Sequence, residues 1–276
     1  TRSLSSAASD VYKRQPLGTA KIFEDNIMDK LPLPEINNSL LEMIGNTPLL
    51  ELKNIDVGVC RLFVKMESQN PGGSIKDRVA LSIIEQAEKD GLLKPGGTIV
   101  EATAGNTGIG LALVGVLKGY KVILVIPDKM SREKILHLKA IGTEIIFTRS
   151  DVSKEDPEYY HNIAEKIVNE TPGAFYANQF GNPANAKAHE ETTGPEIWEQ
   201  MNHDVDAFVA GVGSGGTLSG VGKFFKNVSP STQIVAADPE GSIIFDAVKK
   251  GTFSYEGGSW FVEGIGEDFI PDVLDL

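Results

Sequence analysis

The chain has 276 residues, 41% hydrophobic and 23% charged, which suffices for one large domain or two small ones with a sizeable core. A formal net charge of -12 argues against nucleic acid as a partner, although it leaves room for a local anion site made of backbone N–H groups. Cys60 is the only cysteine, which excludes an intrachain disulfide and a cysteine-rich zinc site and fits a cytoplasmic location.

No apolar run reaches membrane-spanning length: the best stretch, from Ile109 to Ile126, is broken by Lys118, Gly119 and Lys121. Residues 1–38 read as a leader outside the fold, disordered or partly non-native, and TRSLSSAASDVYKRQ holds no apolar run for a secretory signal.

The first strong helical signal is NPGGSIKDRVALSIIEQAEKDG, starting at residue 70. Ser74 reads as an N-cap and Asp77 as its capping-box acid. Ile75, Val79, Ile83 and Ala87 form one buried face, and Gly91 and Pro95 stop the helix. Lys76 then falls in the first turn, where the dipole and unpaired N–H groups repel a cation. A surface lysine tolerated at small cost is one reading. The other is an amine whose pKa is lowered below the usual value of roughly 10.4, as Schiff-base and general-base chemistry requires.

From residue 98 strand-like runs alternate with helical patterns. Strands are expected at Thr98–Glu101, Lys121–Ile126, Glu144–Thr148, Ala174–Ala177, Ala207–Gly211 and Gln233–Ala237. Helices are expected at Thr107–Lys118, Ser131–Ile141, Pro157–Asn169, Thr193–Met201 and Thr217–Asn227. This is an α/β pattern of βαβ units around mainly parallel sheets, and any two domains are interleaved without a tether.

Two strand-to-helix loops carry chemistry. EATAGNTGIGLALVG (101–115) offers N–H groups with Thr103, Asn106 and Thr107, which suits a carboxylate or phosphate. DAFVAGVGSGGTLSGVGKFF (206–225) runs a strand into Gly213-Ser214-Gly215-Gly216-Thr217 and a helix, a cup for phosphate that is not a Walker A loop. Gly211, Gly213 and Gly216, with Asp238 ending the next strand, also satisfy a dinucleotide fingerprint, so a nicotinamide-dependent dehydrogenase is a rival. The four histidines show no metal-ligand spacing.

Taken together, IGNTPLL (44–50), NPGGSIKDR (70–78), TAGNTGIGLA (103–112), NQFGNPAN (178–185), GVGSGGTLSG (211–220) and EGIGEDFIP (263–271) resemble, in order, the pyridoxal-phosphate enzymes of the cysteine synthase and cystathionine β-synthase family. The resemblance implies a tryptophan synthase β-like fold of type II, with a larger domain at 39–69 plus 182–276 and a smaller mobile one at 70–181. It implies that Lys76 holds pyridoxal phosphate through its amine and that Gly213, Ser214, Gly215, Gly216 and Thr217 hold the cofactor phosphate. Asn106 would meet the ring hydroxyl. Thr103, Gly105, Asn106, Thr107 and Gln179 would grip the substrate carboxylate.

DPEGSI (238–243) and EGIGEDFIP look more like cystathionine β-synthase, where residues matching Glu263, Gly264 and Gly266 line the amino-acid site and Glu263 would help a poor leaving group depart. The implied activity is β-replacement on serine or O-acetylserine by a thiol, with cysteine synthase as the alternative and homodimers as the expected assembly. Ala104 and Ser214 replace a usual serine and threonine, and Glu267 stands where some relatives have tyrosine. The family continues past residue 276 to a serine that meets the pyridine nitrogen, so an inactive fragment is a further reading.

Overall fold

Apolar residues crowd the strand runs after residue 98, and the four runs between residues 98 and 176 form one parallel sheet. In this computed structural model, residues 36–103, 105–250 and 258–275 are described; most of the expected leader and Ala104 lie outside them. Strands β3 (Thr98–Ala102), β4 (Lys121–Pro127), β5 (Glu144–Thr148) and β6 (Ala174–Tyr176) pair in the order β5-β4-β3-β6, all parallel. Thr98 lies opposite both Lys121 and Ala174, and Ile123 opposite Glu144.

The two faces of this sheet follow from side-chain alternation. Ile99, Val122, Leu124 and Ile126 face one layer, built from Val79 and Ile83 of α1 (Lys76–Lys89), Leu111 and Val114 of α2 (Asn106–Leu117) and Leu138 of α3 (Arg132–Ile141). Val100, Ala102, Ile123 and Val125 face the other, against Ile163, Ala164 and Ile167 of α4 (Tyr160–Glu170). Helices on both faces explain why the strands read as continuous apolar runs.

A second parallel pair, β7 (Ala207–Gly211) and β8 (Gln233–Ala237), is joined by α7 (Gly216–Val228) and followed by α8 (Ile244–Lys250). Val221 and Phe225 of α7 pack on Ile197 of α6 (Gly194–Gln200), with Trp198 edge-on to Phe225. Upstream, β1 (Leu49–Glu51) and β2 (Phe63–Lys65) form a short antiparallel ribbon that the sequence pattern does not announce.

Two helix starts differ from the sequence expectation. The helix expected from Pro157 begins at Tyr160, because Asp156 makes a turn first: its carboxylate accepts from Glu158 N at 2.8 Å and its carbonyl from Tyr159 N at 2.9 Å. The helix expected from Thr193 is the end of a longer run: α5 (Ala184–Ala188) passes through one π-helical turn, His189–Thr193, into α6. At the joint Gly194 is required, since a Cβ there would stand 2.8 Å from the Phe224 ring.

Candidate active site

Lys76 begins α1, as its spacing implied, but the cap is arranged differently. Ser74 Oγ accepts from Lys76 N at 3.2 Å, and the Asp77 carboxylate reaches back to Gly72 N instead of to Ser74. The glycine pair before the helix lets this happen, because a side chain at Gly72 would occupy the space of the Asp77 carboxylate. Gly110 of α2 brings the second helix against the same point, as a Cβ there would lie 2.7 Å from the Lys76 carbonyl oxygen. The amine is pushed below its ordinary value by burial, and the nearby negative charge of Glu267 only partly opposes this.

The loop after β3 and the segment after β6 meet at the start of α2, the helix whose Gly110 packs on Lys76. Thr107 Oγ1 donates to Gln179 Oε1 at 2.5 Å, and Gln179 Nε2 donates to Thr103 Oγ1 at 3.5 Å. Thr103 Oγ1 also accepts from Gly105 N at 3.2 Å, and Asn106 stands exposed at the start of α2. Four of the residues expected to grip a carboxylate, Thr103, Gly105, Thr107 and Gln179, are thus in direct contact, with Asn106 adjoining.

The third part is the turn from β7 into α7. Gly215 has φ +83°, and a Cβ there would meet Leu274; a Cβ on Gly213 would stand 2.6 Å from the Gly264 carbonyl oxygen. The first turn of α7 carries no acidic residue, and its N–H groups have no intrahelical acceptor. Thr217 Oγ1 lies 3.3 Å from His189 Nε2, and a charge on Lys76 helps hold that histidine neutral, second to its burial. The cup thus meets His189 directly through Thr217, and Lys76 acts on the same histidine electrostatically.

Gly264 and Gly266, with φ +83° and +86°, fold their loop over the cup's entrance, where Gly266 N donates to the Val212 carbonyl at 2.7 Å. Glu263 points away from this point: its side chain is 85% exposed and pairs with Lys134 at 2.7 Å. The carboxylate whose field reaches Lys76 is Glu267, raised to about 7 by burial and by Asp268. Asp238, the acid of the dinucleotide fingerprint, accepts from Phe245 N at 2.9 Å and so begins α8.

Some residues here were not singled out by the sequence. Glu101 is fully buried at the end of β3 and accepts from Ala102 N at 2.9 Å and Gln179 N at 3.1 Å. Burial raises it to about 8 against those bonds. His189 is fully buried in the π-helical turn, with Nδ1 2.9 Å from Thr193 Oγ1, and burial lowers it to about 3. Asn185 joins the Gln179 segment to the cup. An acid within an apolar strand was the one visible signal, at Glu101.

The family model of the pyridoxal-phosphate dependent enzymes matches residues 40–276. A cystathionine beta-synthase of Apis mellifera is 47% identical over 87% of this chain, and one of Saccharomyces cerevisiae 44% over 86%. The chain spans about half the length of these relatives, 48% of each. A cysteine synthase of Staphylococcus aureus is 44% identical, over 86% of this chain and 74% of its own length. Among solved structures, a hydrogen sulfide-producing enzyme from Fusobacterium nucleatum superposes with a TM-score of 0.80 at 40% identity, covering 88% of this chain and 78% of that one. An O-ureido-L-serine synthase gives 0.78 at 38%, covering 87% and 73%. With its lysine, loops and glycine cup arranged as described, and with a match that runs through all of them, this chain belongs to the family of pyridoxal-phosphate dependent enzymes.

Proposed function

We propose that the protein replaces the β-substituent of serine or O-acetylserine with a thiol, acting as a cystathionine β-synthase, with cysteine synthase as the alternative. The observation that carries this is the acid-free glycine cup at the start of α7, with Thr217 against His189, together with an amine, Lys76, that burial pushes below its ordinary value at the start of α1. The names of the relatives support both activities.

The residues fit the cofactor. In the turn Gly213-Ser214-Gly215-Gly216-Thr217 the three glycines pack so closely on Gly264, Leu274 and Asn185 that no side chain fits there, and the turn's backbone donors suit a phosphate. Lys76 supplies an amine whose ammonium form burial disfavours, suited to condense with an aldehyde. Asn106 is assigned to the ring hydroxyl. Pyridoxal phosphate, when bound, spreads the charge left at Cα when a proton departs.

The chain's own residues do the rest. Thr103, Gly105, Asn106, Thr107 and Gln179 hold the substrate carboxylate and fix Cα near Lys76. Lys76 Nζ takes the α-proton and later returns it, and proximity and a lowered pKa make it effective. The hydroxyl leaves Cβ as water, or the ester group as acetate, and the thiol sulfur adds there, its S–H proton balancing the departing group. Gly264 and Gly266 line the amino-acid side. Glu263 is assigned to the leaving group, which requires it to turn from Lys134.

We assign 70–181 to a mobile domain that closes on 39–69 plus 182–276 and excludes water. The four-stranded sheet lies wholly in the first and the β7–β8 pair in the second. The ion pair Lys154–Asp268 at 2.9 Å would hold the two together. A cytoplasmic homodimer is the proposed setting; no described helix is long and apolar enough to cross a membrane.

The test offers serine and O-acetylserine, each with homocysteine and with sulfide, and identifies products by mass. Cystathionine formed fastest from serine is the expected result; cysteine formed fastest from O-acetylserine favours the alternative. Lys76→Ala should abolish turnover and the visible absorbance of bound cofactor.

A further inference from the structure

Asn185 sits between the two halves of the site. Its side chain is fully buried. Nδ2 donates to the main-chain carbonyl of Gln179 at 2.8 Å and to Ser214 Oγ at 2.9 Å. Its Oδ1 is buried without a hydrogen-bond partner among the described residues, against Gly216, where a Cβ would collide with it. One amide therefore touches the substrate-carboxylate segment and two residues of the phosphate cup.

Packing alone does not account for this. A buried amide that leaves its acceptor idle is rarer than an apolar side chain filling the same volume. The direction of the second bond also has a consequence. Because Ser214 Oγ accepts from Asn185, its own proton is left to donate elsewhere, which is what an anion in the cup needs. The first bond pins the Gln179 main chain, and with it the side chain that meets Thr107 and Thr103.

The geometry points to Asn185 as a positioning residue that couples the two halves, orienting Ser214 for the cofactor phosphate and Gln179 for the substrate carboxylate. This inference rests on the pyridoxal-phosphate reading above. It makes cofactor affinity and substrate affinity depend on one side chain.

The experiment compares wild type, Asn185→Ala, Asn185→Asp, Ser214→Ala and the Asn185→Ala/Ser214→Ala double variant, all as the full chain. Pyridoxal phosphate affinity is read by spectroscopic titration without substrate, and KM and kcat are read separately. Asn185→Ala should weaken cofactor binding about tenfold and raise the amino-acid KM about tenfold, the scale of one lost buried hydrogen-bond partner, with kcat changed less. The double variant should bind cofactor no more weakly than the poorer single variant, because both changes remove one interaction.

Should the alanine variant fail to fold, Asn185→Asp keeps the shape but places an oxygen against the Gln179 carbonyl, and the same paired loss is expected. Unchanged affinities, a loss in one parameter only, or additive effects in the double variant overturn the inference. Wild type that takes up no pyridoxal phosphate overturns the functional reading and this inference together. Wild-type uptake with unaffected Asn185 variants overturns this inference alone.

Discussion

At Lys76 burial and the N-terminus of α1 both act against the ammonium form, and the terminus contributes about 0.3–1 kcal/mol. Glu267 acts in the other direction, since its negative charge favours the ammonium. Replacing it with glutamine should lower the Lys76 pKa further, and the rate at which the apoprotein captures pyridoxal phosphate should then reach its plateau at lower pH than in wild type. A midpoint that stays or rises would show that the two groups are not coupled. Glu263 makes a different prediction: Glu263→Gln should slow kcat with serine more than with O-acetylserine, because acetate needs less help to leave. Glu101 sets a pH dependence of stability. Its carboxyl is raised from the ordinary 4.5 to about 8, so the folded state holds a proton that the unfolded chain has released. Its contribution is full below about pH 4.5 and is lost as pH rises through about 8, on the order of 3–5 kcal/mol as an upper bound. Glu101→Gln cannot lose that proton, so its urea midpoint should fall less steeply between pH 5 and 8.

Among the elements, close approaches are what glycine permits. Gly110→Ala would drive a methyl into the Lys76 carbonyl and part α1 from α2, at about 1–3 kcal/mol, measurable by urea unfolding together with weaker cofactor uptake. β3 and β4 were legible because burial on both faces makes their apolar runs continuous, and β5, β6, β7 and β8 because short apolar, β-branched or aromatic runs stand between turn residues, although β8 is exposed along its length. The ribbon of β1 and β2 was not, being three residues a strand and half-buried, too short for a period to show. The 184–193 stretch was missed because ANAKAHEETT carries no apolar period; its helix rests on small residues packed close to α7, where Gly220 abuts the Ala186 carbonyl. That hid His189 and Asn185, whose roles come from where α5 and the π-helical turn run. Lys76 and the glycine cup could be read directly, since unusual residues at helix starts are visible in one dimension. Which carboxylate of EGIGED turns inward could not, because Gly264 and Gly266 both take positive φ and redirect the loop between them.

On the scale of the whole molecule, Arg78 ties the start of α1 to distant parts of the chain. Its guanidinium, almost fully buried, meets Glu67 at 2.8 Å and Glu196 of α6 at 2.6 Å, and Lys65 meets Glu196 at 2.7 Å. Burial alone would raise Glu196, but hydrogen bonds from Arg78 and Lys65 outweigh it and hold the carboxyl down at about 2. The stability this provides is present above about pH 4.5 and is lost as pH falls through about 2. Arg78→Met takes the ion-pair partner from Glu67 and leaves Glu196 with Lys65 alone, and should cost about 3–5 kcal/mol at pH 7, read as a lower urea midpoint, with the acid limb flattened. The account as a whole stands on a single bond, between pyridoxal phosphate and the amine of Lys76. The direct measurement is to load the full chain with the cofactor, reduce it with borohydride, digest it and map the added pyridoxyl mass. The account predicts that mass on the peptide containing Lys76. Its appearance on another lysine, or on none, would contradict it.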